Sequence, residues 1–349
     1  MTAWESEIQQ SIIDFNTLKA VLKLNDDEKE LLYGEGQHVF KITPHLLSIM
    51  KNDDISGKVR KQFIPSVLYD GDLKFEDDYL CENSNEVCDH LIVRYPNKAI
   101  LLITQECPAY CQFCTRKRLI SNGKRKNNIE KAYGYLESHP EIYDIVITGG
   151  DPLVLRDDEL AEIFRALRSI KTIKLIRINT RTPVTIPNRI TKELIRLLKQ
   201  YEIYCMNIHF EHPSELSEQT IAACRRLTDN GIMLGSQSVL LKNINDSHEI
   251  LKELFLKLIE AKVRPYYLYQ CDKVRGCEPF YVDPREGIEI INNIQYELPG
   301  LCVPRFVIDA PNKMGKITVS PNGIVAANHN SITLKNYNTG EIFDYFFTL

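Results

Sequence analysis

The feature that most limits the fold is an alternation of short β-branched runs with segments of helical periodicity, repeated six times after residue 98. The predicted strands are residues 99–104, 144–148, 174–179, 203–210, 232–240 and 264–270. Short apolar runs of this kind are typical of parallel strands that are buried on both faces. Six right-handed βαβ units are too few to complete an eightfold barrel. The sequence therefore predicts an α/β fold with an open or partial barrel.

The repeat and the segments on either side of it predict that the chain has three parts. Residues 1–95 form a loop-rich N-terminal extension with some helix, residues 96–296 form the partial barrel, and residues 297–349 form a C-terminal segment that can close one end. Local signals support the helices of the repeat. Thr191 stands where a helix N-cap is expected, and Gly231 stands where a helix C-cap is expected.

Composition excludes several classes of partner. The net charge of −4 gives no electrostatic reason to expect nucleic acid or an anionic membrane. The N-terminus lacks the basic and apolar regions of a secretory signal, and the apolar runs are too short to cross a bilayer. These features predict a cytoplasmic protein. Ten cysteines in such a protein indicate metal or redox use of some of them rather than a disulfide framework.

Three of these cysteines, Cys107, Cys111 and Cys114, stand in the run CPAYCQFC directly after the first predicted strand. Catalytic groups of barrel folds lie at this end of the strands. Three thiolates in one tight loop can bind three irons of a cubane cluster and leave the fourth iron open to a small molecule. The alternatives are a zinc loop that lacks its fourth ligand and a chance cluster of buried thiols. The sequence offers no second ligand pair at zinc spacing, which favours the iron–sulfur cluster.

The spacing C-x3-C-x2-C, with Phe113 just before the last cysteine, resembles the radical S-adenosylmethionine (SAM) superfamily. The resemblance implies a partial (β/α)6 barrel, a [4Fe–4S] cluster, bound SAM and an external electron donor of the flavodoxin or ferredoxin type. It also implies residues that contact SAM, although a β-to-α turn or a packed histidine would explain some of them equally well. These candidates are Gly149, Gly150, Asp151, His209 and Gln237.

Several further segments resemble lysine 2,3-aminomutase, in unchanged order over about residues 60–335. They are RYP, CPAYCQFCTRKR, ITGGDPL, RINTRTPV, NIHFEHP, GSQSVLLKNIND, RPYYLYQCD and VIDAP. This resemblance implies pyridoxal phosphate as a further cofactor. Lys316 matches the lysine that holds it as a Schiff base, with Lys313 as a rival because most of the family's glycines before the lysine are missing. The positions that hold its phosphate and ring are matched by Arg94, Tyr95 and Lys98.

The same resemblance implies an amino-acid substrate with a positive side chain. Arg116 matches the family's carboxylate clamp, and Asp272 and Asp309 match the pair that binds the distal ammonium of lysine. The implied reaction is an isomerisation that moves the α-amino group of L-lysine to C3 and gives β-lysine.

Three alternatives to this reaction stay open at this point. They are the same chemistry on arginine, the same chemistry on a lysine that serves a translation factor, and a non-catalytic iron–sulfur scaffold. Larger family members carry a cysteine-rich tail that binds zinc between subunits. Ser247 stands here where the partner cysteine of that site would be, so any homo-oligomer is expected to lack the zinc contact.

Overall fold

The computed structural model describes residues 2–33, 39–52, 57–65, 75–120, 129–311, 314–319, 323–336 and 339–347. Lys313, the rival for the cofactor lysine, lies outside the described residues. Among the residues that the structure describes, no helix combines the length and apolar character that crossing a bilayer needs.

Ten strands form one sheet whose order follows the chain. They are β1 (Glu86–Cys88), β2 (Leu91–Tyr95), β3 (Lys98–Thr104), β4 (Asp144–Gly149), β5 (Leu175–Thr180), β6 (Cys205–Ile208), β7 (Met233–Leu240), β8 (Arg264–Gln270), β9 (Arg305–Ala310) and β10 (Gly315–Thr318). Neighbours from β3 to β9 are parallel, whereas β1, β2 and β10 pair antiparallel at the two edges. The six predicted strands are confirmed as β3 to β8, and within the described residues the sheet stays open.

One parallel strand, β9, was not predicted from the sequence. It lies beside β8, and its residues alternate little between buried and exposed. Pro304 precedes this strand and Pro311 follows it. Because prolines are typical of turns, the sequence pattern indicated a loop here rather than a short strand. β9 lies beyond the predicted boundary at residue 296, yet it belongs to the main sheet. The division of the chain at residues 95 and 296 stays a prediction.

The helices of the described residues are α1 (Ala3–Gln9), α2 (Phe15–Val21), α3 (Asp26–Tyr33), α4 (Pro44–Asn52), α5 (Arg60–Phe63), α6 (Glu82–Asn85), α7 (Lys117–Ile120), α8 (Glu130–Ser138), α9 (Asp157–Ser169), α10 (Thr182–Thr185), α11 (Lys192–Gln200), α12 (Glu218–Thr228), α13 (His248–Glu260) and α14 (Pro284–Glu297). The helices that connect parallel strands pack their apolar stripes on the sheet. In α11, Leu194 and Leu198 are fully buried, and the Thr191 hydroxyl accepts the Leu194 N–H at 3.1 Å as the predicted N-cap. Gly231 follows α12 with a φ of 82°, as a C-cap requires.

The N-terminal extension contributes to the same hydrophobic core as the sheet. Ile42, Leu46 and Phe63 are fully buried within it, and the Thr43 hydroxyl donates to the Thr185 carbonyl at 2.6 Å. The extension is thus placed to support the loops at the carboxyl ends of the parallel strands.

A separate antiparallel sheet follows β10 in the chain. It is made of β11 (Ile324–Ala327), β12 (Ser331–Lys335) and β13 (Ile342–Phe346).

Candidate active site

The cysteine loop lies at the carboxyl end of β3, as the sequence predicted. The Cys114 N–H donates to the Cys111 carbonyl at 3.2 Å, which closes a turn between these two residues. Burial raises the pKa of each of the three thiols, that of Cys114 to about 12. Cys107 and Cys114 each have their pKa raised further by charge on neighbouring cysteines of the loop. The three sulfur atoms are therefore close enough to repel one another when ionised.

This donor set fits a cubane cluster. Within the described ranges, no three His, Cys, Asp or Glu side chains converge on a point that could hold a single metal ion. A cubane does not need such convergence, because each thiolate binds a different iron atom. Thiols whose pKa is raised by burial ionise only when a cation stabilises the thiolates, and bound iron supplies that cation. The loop is thus better suited to a multi-iron cluster than to a lone ion.

Backbone contacts from the N-terminal extension hold the cysteine loop in place. The Tyr110 N–H donates to the Lys41 carbonyl at 3.2 Å, and the Gln112 N–H donates to the Gln62 carbonyl at 2.7 Å. The Lys41 ammonium also donates to the Cys107 carbonyl at 3.0 Å. Sequence reasoning missed this support, because the partners are separated by many residues along the chain and no local pattern connects them.

The glycine turn after β4 lies directly against the loop that follows β3. The Gly150 N–H donates to the Thr104 carbonyl at 2.7 Å, and a Cβ atom at Gly150 would come within 2.1 Å of the Glu106 carbonyl oxygen. Gly149 has a φ of 131°, which side chains rarely adopt. Glycine is therefore required at both positions by close packing of the two loops.

The Asp151 carboxylate is already satisfied by protein donors. It accepts the Thr180 hydroxyl and the Arg181 N–H, both at 2.7 Å, and the Leu153 N–H at 3.0 Å. Its side chain thus fixes the turn, and any contact with SAM would come from the backbone of residues 149–151. Their role toward SAM stays a prediction.

The other two predicted SAM contacts are His209 and Gln237. His209 follows β6, and its Nδ1 atom lies 3.4 Å from a carboxylate oxygen of buried Glu211. Gln237 is buried within β7, three residues before the strand ends rather than at its end. Their contact with SAM stays a prediction as well.

Asp309 lies between two cations that were predicted to bind pyridoxal phosphate. The Arg94 Nη1 atom donates to one of its oxygens at 3.0 Å, and the Lys316 Nζ atom donates to the other at 3.1 Å. The same Arg94 side chain also donates to the Ala310 carbonyl. Asp309 and Lys316 are paired across β9 and β10, so the sheet itself brings this carboxylate and this lysine together.

Tyr95 shapes the surroundings of Lys316. Its hydroxyl accepts the Lys316 N–H at 2.9 Å, and a Cβ atom at Gly315 would come within 2.6 Å of that hydroxyl oxygen. The Lys98 ammonium lies 4.9 Å from the centre of the Tyr95 ring. Within the described residues, the buried Arg94 Nε has no hydrogen-bond partner. These groups fit a cofactor that carries a phosphate and an aldehyde. The Arg94 N–H and the Lys98 ammonium suit the phosphate, and the Lys316 amine suits the aldehyde.

Asp272 follows β8 and lies close to the same cations. Burial raises the pKa of its carboxyl group to about 8, and the charge of Asp309 adds to this rise, while Lys316 and Arg94 oppose it. The group is thus largely protonated at neutral pH unless a further cation approaches. Asp272 and Asp309 are therefore close enough for their charges to act on each other, and their binding of a substrate ammonium stays a prediction.

Arg116 is held by a carboxylate that sequence reasoning missed. Glu82, on the short helix α6, accepts the Arg116 Nε at 3.0 Å and its Nη2 at 2.6 Å. The Arg116 Nη1 contacts the Thr148 hydroxyl at 3.4 Å. Glu82 thus engages one edge of the guanidinium and leaves the Nη1 side for another partner. No sequence signal marked Glu82, because the pair spans 34 residues.

Comparison with known proteins finds relatives over almost the whole chain. Residues 101–254 match the sequence model of the Radical SAM superfamily, and residues 291–346 match that of Lysine-2,3-aminomutase. L-lysine 2,3-aminomutase of Clostridium subterminale is 39% identical over 342 residues, which span 96% of this chain and 82% of that protein. The enzyme of the same name from Acetoanaerobium sticklandii is 37% identical, with 96% and 82% covered. Glutamate 2,3-aminomutase of Clostridioides difficile is 32% identical, with 95% and 79% covered.

The parallel sheet and the cysteine loop at the end of its first parallel strand define the class of radical SAM enzymes. Within that class, the chain belongs to the lysine 2,3-aminomutase family, and it is an isomerase. The family implies a [4Fe–4S] cluster, SAM and pyridoxal phosphate as cofactors.

Proposed function

We propose that this enzyme converts L-lysine to β-lysine by moving the α-amino group from C2 to C3. The observation that carries the proposal is the Asp309 carboxylate, held between Arg94 and Lys316, with Asp272 close enough for the two carboxyl groups to act on each other. Burial and the charge of Asp309 raise the pKa of Asp272 to about 8, whereas the pKa of Arg116 is raised mainly by Glu82 and to a lesser extent by Asp309. An arginine fits a carboxylate, and two neighbouring carboxyl groups, one buried and one half-buried, favour a cation. L-lysine carries both charges.

The cofactors would be held by separate groups of residues. Cys107, Cys111 and Cys114 would hold the cluster, the turn at residues 149–151 would contact SAM, and Lys316 would hold pyridoxal phosphate. When bound, the cluster and SAM supply a radical that removes a hydrogen atom, and pyridoxal phosphate supplies a group that delocalises the unpaired electron near the migrating nitrogen.

The protein's own residues bind and orient the substrate. Glu82 fixes the Arg116 guanidinium, so the substrate carboxylate would meet a donor that is already oriented, at little cost in side-chain entropy. A Lys316 that holds the cofactor is no longer a primary ammonium group and has fewer N–H donors for Asp309, which leaves that carboxylate more available to the substrate ammonium. Orientation of this kind is what brings one C–H bond of the substrate within reach of a reactive carbon.

A competition assay tests the proposal. Anaerobically reconstituted protein is incubated with SAM, pyridoxal phosphate, a chemical reductant and an equimolar mixture of L-lysine, L-arginine and L-glutamate. We expect β-lysine as the main product. Turnover of arginine instead would change the substrate but would still agree with selection of a positive side chain by Asp272 and Asp309. Turnover of glutamate alone would contradict that selection.

We expect the affinity for L-lysine to decrease as the pH is lowered. Below the Asp272 pKa of about 8, binding of an ammonium group must expel the proton from this carboxyl group. The KM for L-lysine should therefore rise as the pH falls from about 8 to about 6, by up to about tenfold per unit. Steady-state kinetics of the wild type and of Asp272→Asn measure this. The variant should have a high KM that does not vary over this range, and a flat wild-type profile would contradict the assignment of Asp272.

We further infer that the electron comes from a flavodoxin or ferredoxin and that the enzyme works in the cytoplasm. All ten cysteines of the chain are free thiols, which is typical of a reducing compartment. The proposed cluster reaction needs a low-potential donor of one electron, which these two protein classes supply. Any homo-oligomer would form without the zinc contact of the larger relatives.

A further inference from the structure

A buried arginine contacts one of the proposed cluster ligands. The Arg181 Nη1 atom donates to the Cys111 sulfur at 2.9 Å. The Arg181 side chain is 8% exposed, and its guanidinium lies 4.6 Å from the centre of the Phe63 ring and 5.4 Å from that of Phe113. The charge is thus removed from water and screened little, so it acts strongly on the sulfur.

The other partners of Arg181 fix its position. Its Nη2 atom donates to a carboxylate oxygen of Glu215 at 3.2 Å and to the side-chain oxygen of Gln62. Its backbone N–H donates to Asp151 at 2.7 Å. One residue therefore connects the cysteine loop, the SAM turn and the N-terminal extension. Two buried carboxylates, Glu215 and Glu211, face the guanidinium and act on it electrostatically.

We infer that Arg181 is a positioning residue that raises the reduction potential of the cluster through its hydrogen bond and charge on Cys111. The inference rests on the proposed cluster site. In the reaction concerned, the cluster takes one electron from an external one-electron donor, no bond forms or breaks, and no proton is needed. The added electron makes the cluster more negative, so a fixed positive charge and an N–H···S hydrogen bond stabilise the reduced state more than the oxidised state.

A second buried arginine, Arg177, allows the effect of Arg181 on the cluster to be separated from the general effect of losing a buried ion pair. Arg177 pairs with Asp144 at 2.7 Å, and both side chains are largely buried. Asp144 is the first residue of β4, whereas the cysteine loop follows the last residue of β3. Because β3 and β4 are parallel, Asp144 lies at the amino ends of the strands, whereas the thiols lie at the carboxyl ends. Arg177→Gln is therefore a matched control that removes a buried cation without a sulfur contact.

The test measures the reduced cluster by electron paramagnetic resonance at a series of fixed solution potentials, without SAM. For Arg181→Gln we expect the equilibrium constant for reduction to fall at least about tenfold, which for one electron corresponds to about 59 mV. Arg181→Lys keeps the charge and should shift less. The double variant Arg181→Gln/Glu215→Gln avoids an unpaired buried carboxylate, and we expect it to fold and to shift in the same direction by at least about threefold.

Iron and sulfide content per chain is measured on every variant. A wild type without iron would reject the proposed cluster site and not this inference alone. Loaded Arg181→Gln and double variants with an equilibrium constant within about twofold of the wild type would overturn the inference. It would also be overturned if Arg177→Gln shifted the constant as far as Arg181→Gln.

Discussion

Lys316→Ala is expected to abolish covalent binding of pyridoxal phosphate and to reduce turnover by roughly 10⁴-fold or more, the order that loss of a covalent catalytic group costs. Lys316 is placed for this role by β10, which pairs it with Asp309 across the sheet. Its Nζ atom lies 3.1 Å from that carboxylate and 5.5 Å from the centre of the Tyr269 ring. The carboxylate and the aromatic ring thus both contact the Lys316 amine and orient it.

The absorption band of lysine-bound pyridoxal phosphate measures the first part of this prediction. The band should be present in the wild type and in Lys313→Ala, and absent in Lys316→Ala. Lys313→Ala is a matched control because it removes the rival lysine of the same short segment. If Lys313→Ala loses the band and Lys316→Ala keeps it, the assignment of the cofactor lysine is wrong.

Cys111→Ser is expected to lose the cluster and with it all cleavage of SAM. A serine hydroxyl ionises far less readily than a thiol, so it is a poor ligand for iron in this half-buried loop. Cys111 also accepts the Arg181 hydrogen bond, and the substitution would remove the sulfur that this contact stabilises. Iron and sulfide analysis after anaerobic reconstitution, together with the yield of 5′-deoxyadenosine, measures the effect.

Cys224→Ser provides the control for this experiment. Cys224 is fully buried in α12 and belongs to the hydrophobic core rather than to the cysteine loop. This variant should lose some stability because a hydroxyl replaces a buried thiol, but it should keep its iron and its activity. A Cys111→Ser protein with full iron content and full cleavage of SAM would contradict the proposed ligand set.

The sequence predicted the main sheet because parallel strands leave a strong local pattern. The strands from β3 to β8 are short apolar runs, each separated from the next by an amphipathic helix, and both periods can be recognised without knowledge of the fold. The same rule placed the cysteine loop at the carboxyl end of β3. It failed for β9, where prolines on both sides conceal a strand of six residues.

The partners of the site residues could not be predicted in this way. Arg181 lies in a motif that was recognised, but its contact with Cys111 joins residues 70 positions apart. Likewise, Asp309 was predicted as a substrate ligand, and its engagement by Arg94 and Lys316 depends on how three strands are arranged. Local sequence patterns report periodicity and turns, whereas these contacts depend on tertiary packing.

We propose that the cysteine loop holds a cluster with one iron open to SAM, and the whole reaction depends on this iron. The electron paramagnetic resonance spectrum of the reduced, anaerobically reconstituted protein, recorded as SAM is added, tests it most directly. We predict the signal of a reduced [4Fe–4S] cluster whose shape changes with SAM until the site is saturated. A protein that carries zinc or no metal at these thiols, or a cluster signal that SAM leaves unchanged, would contradict the claim.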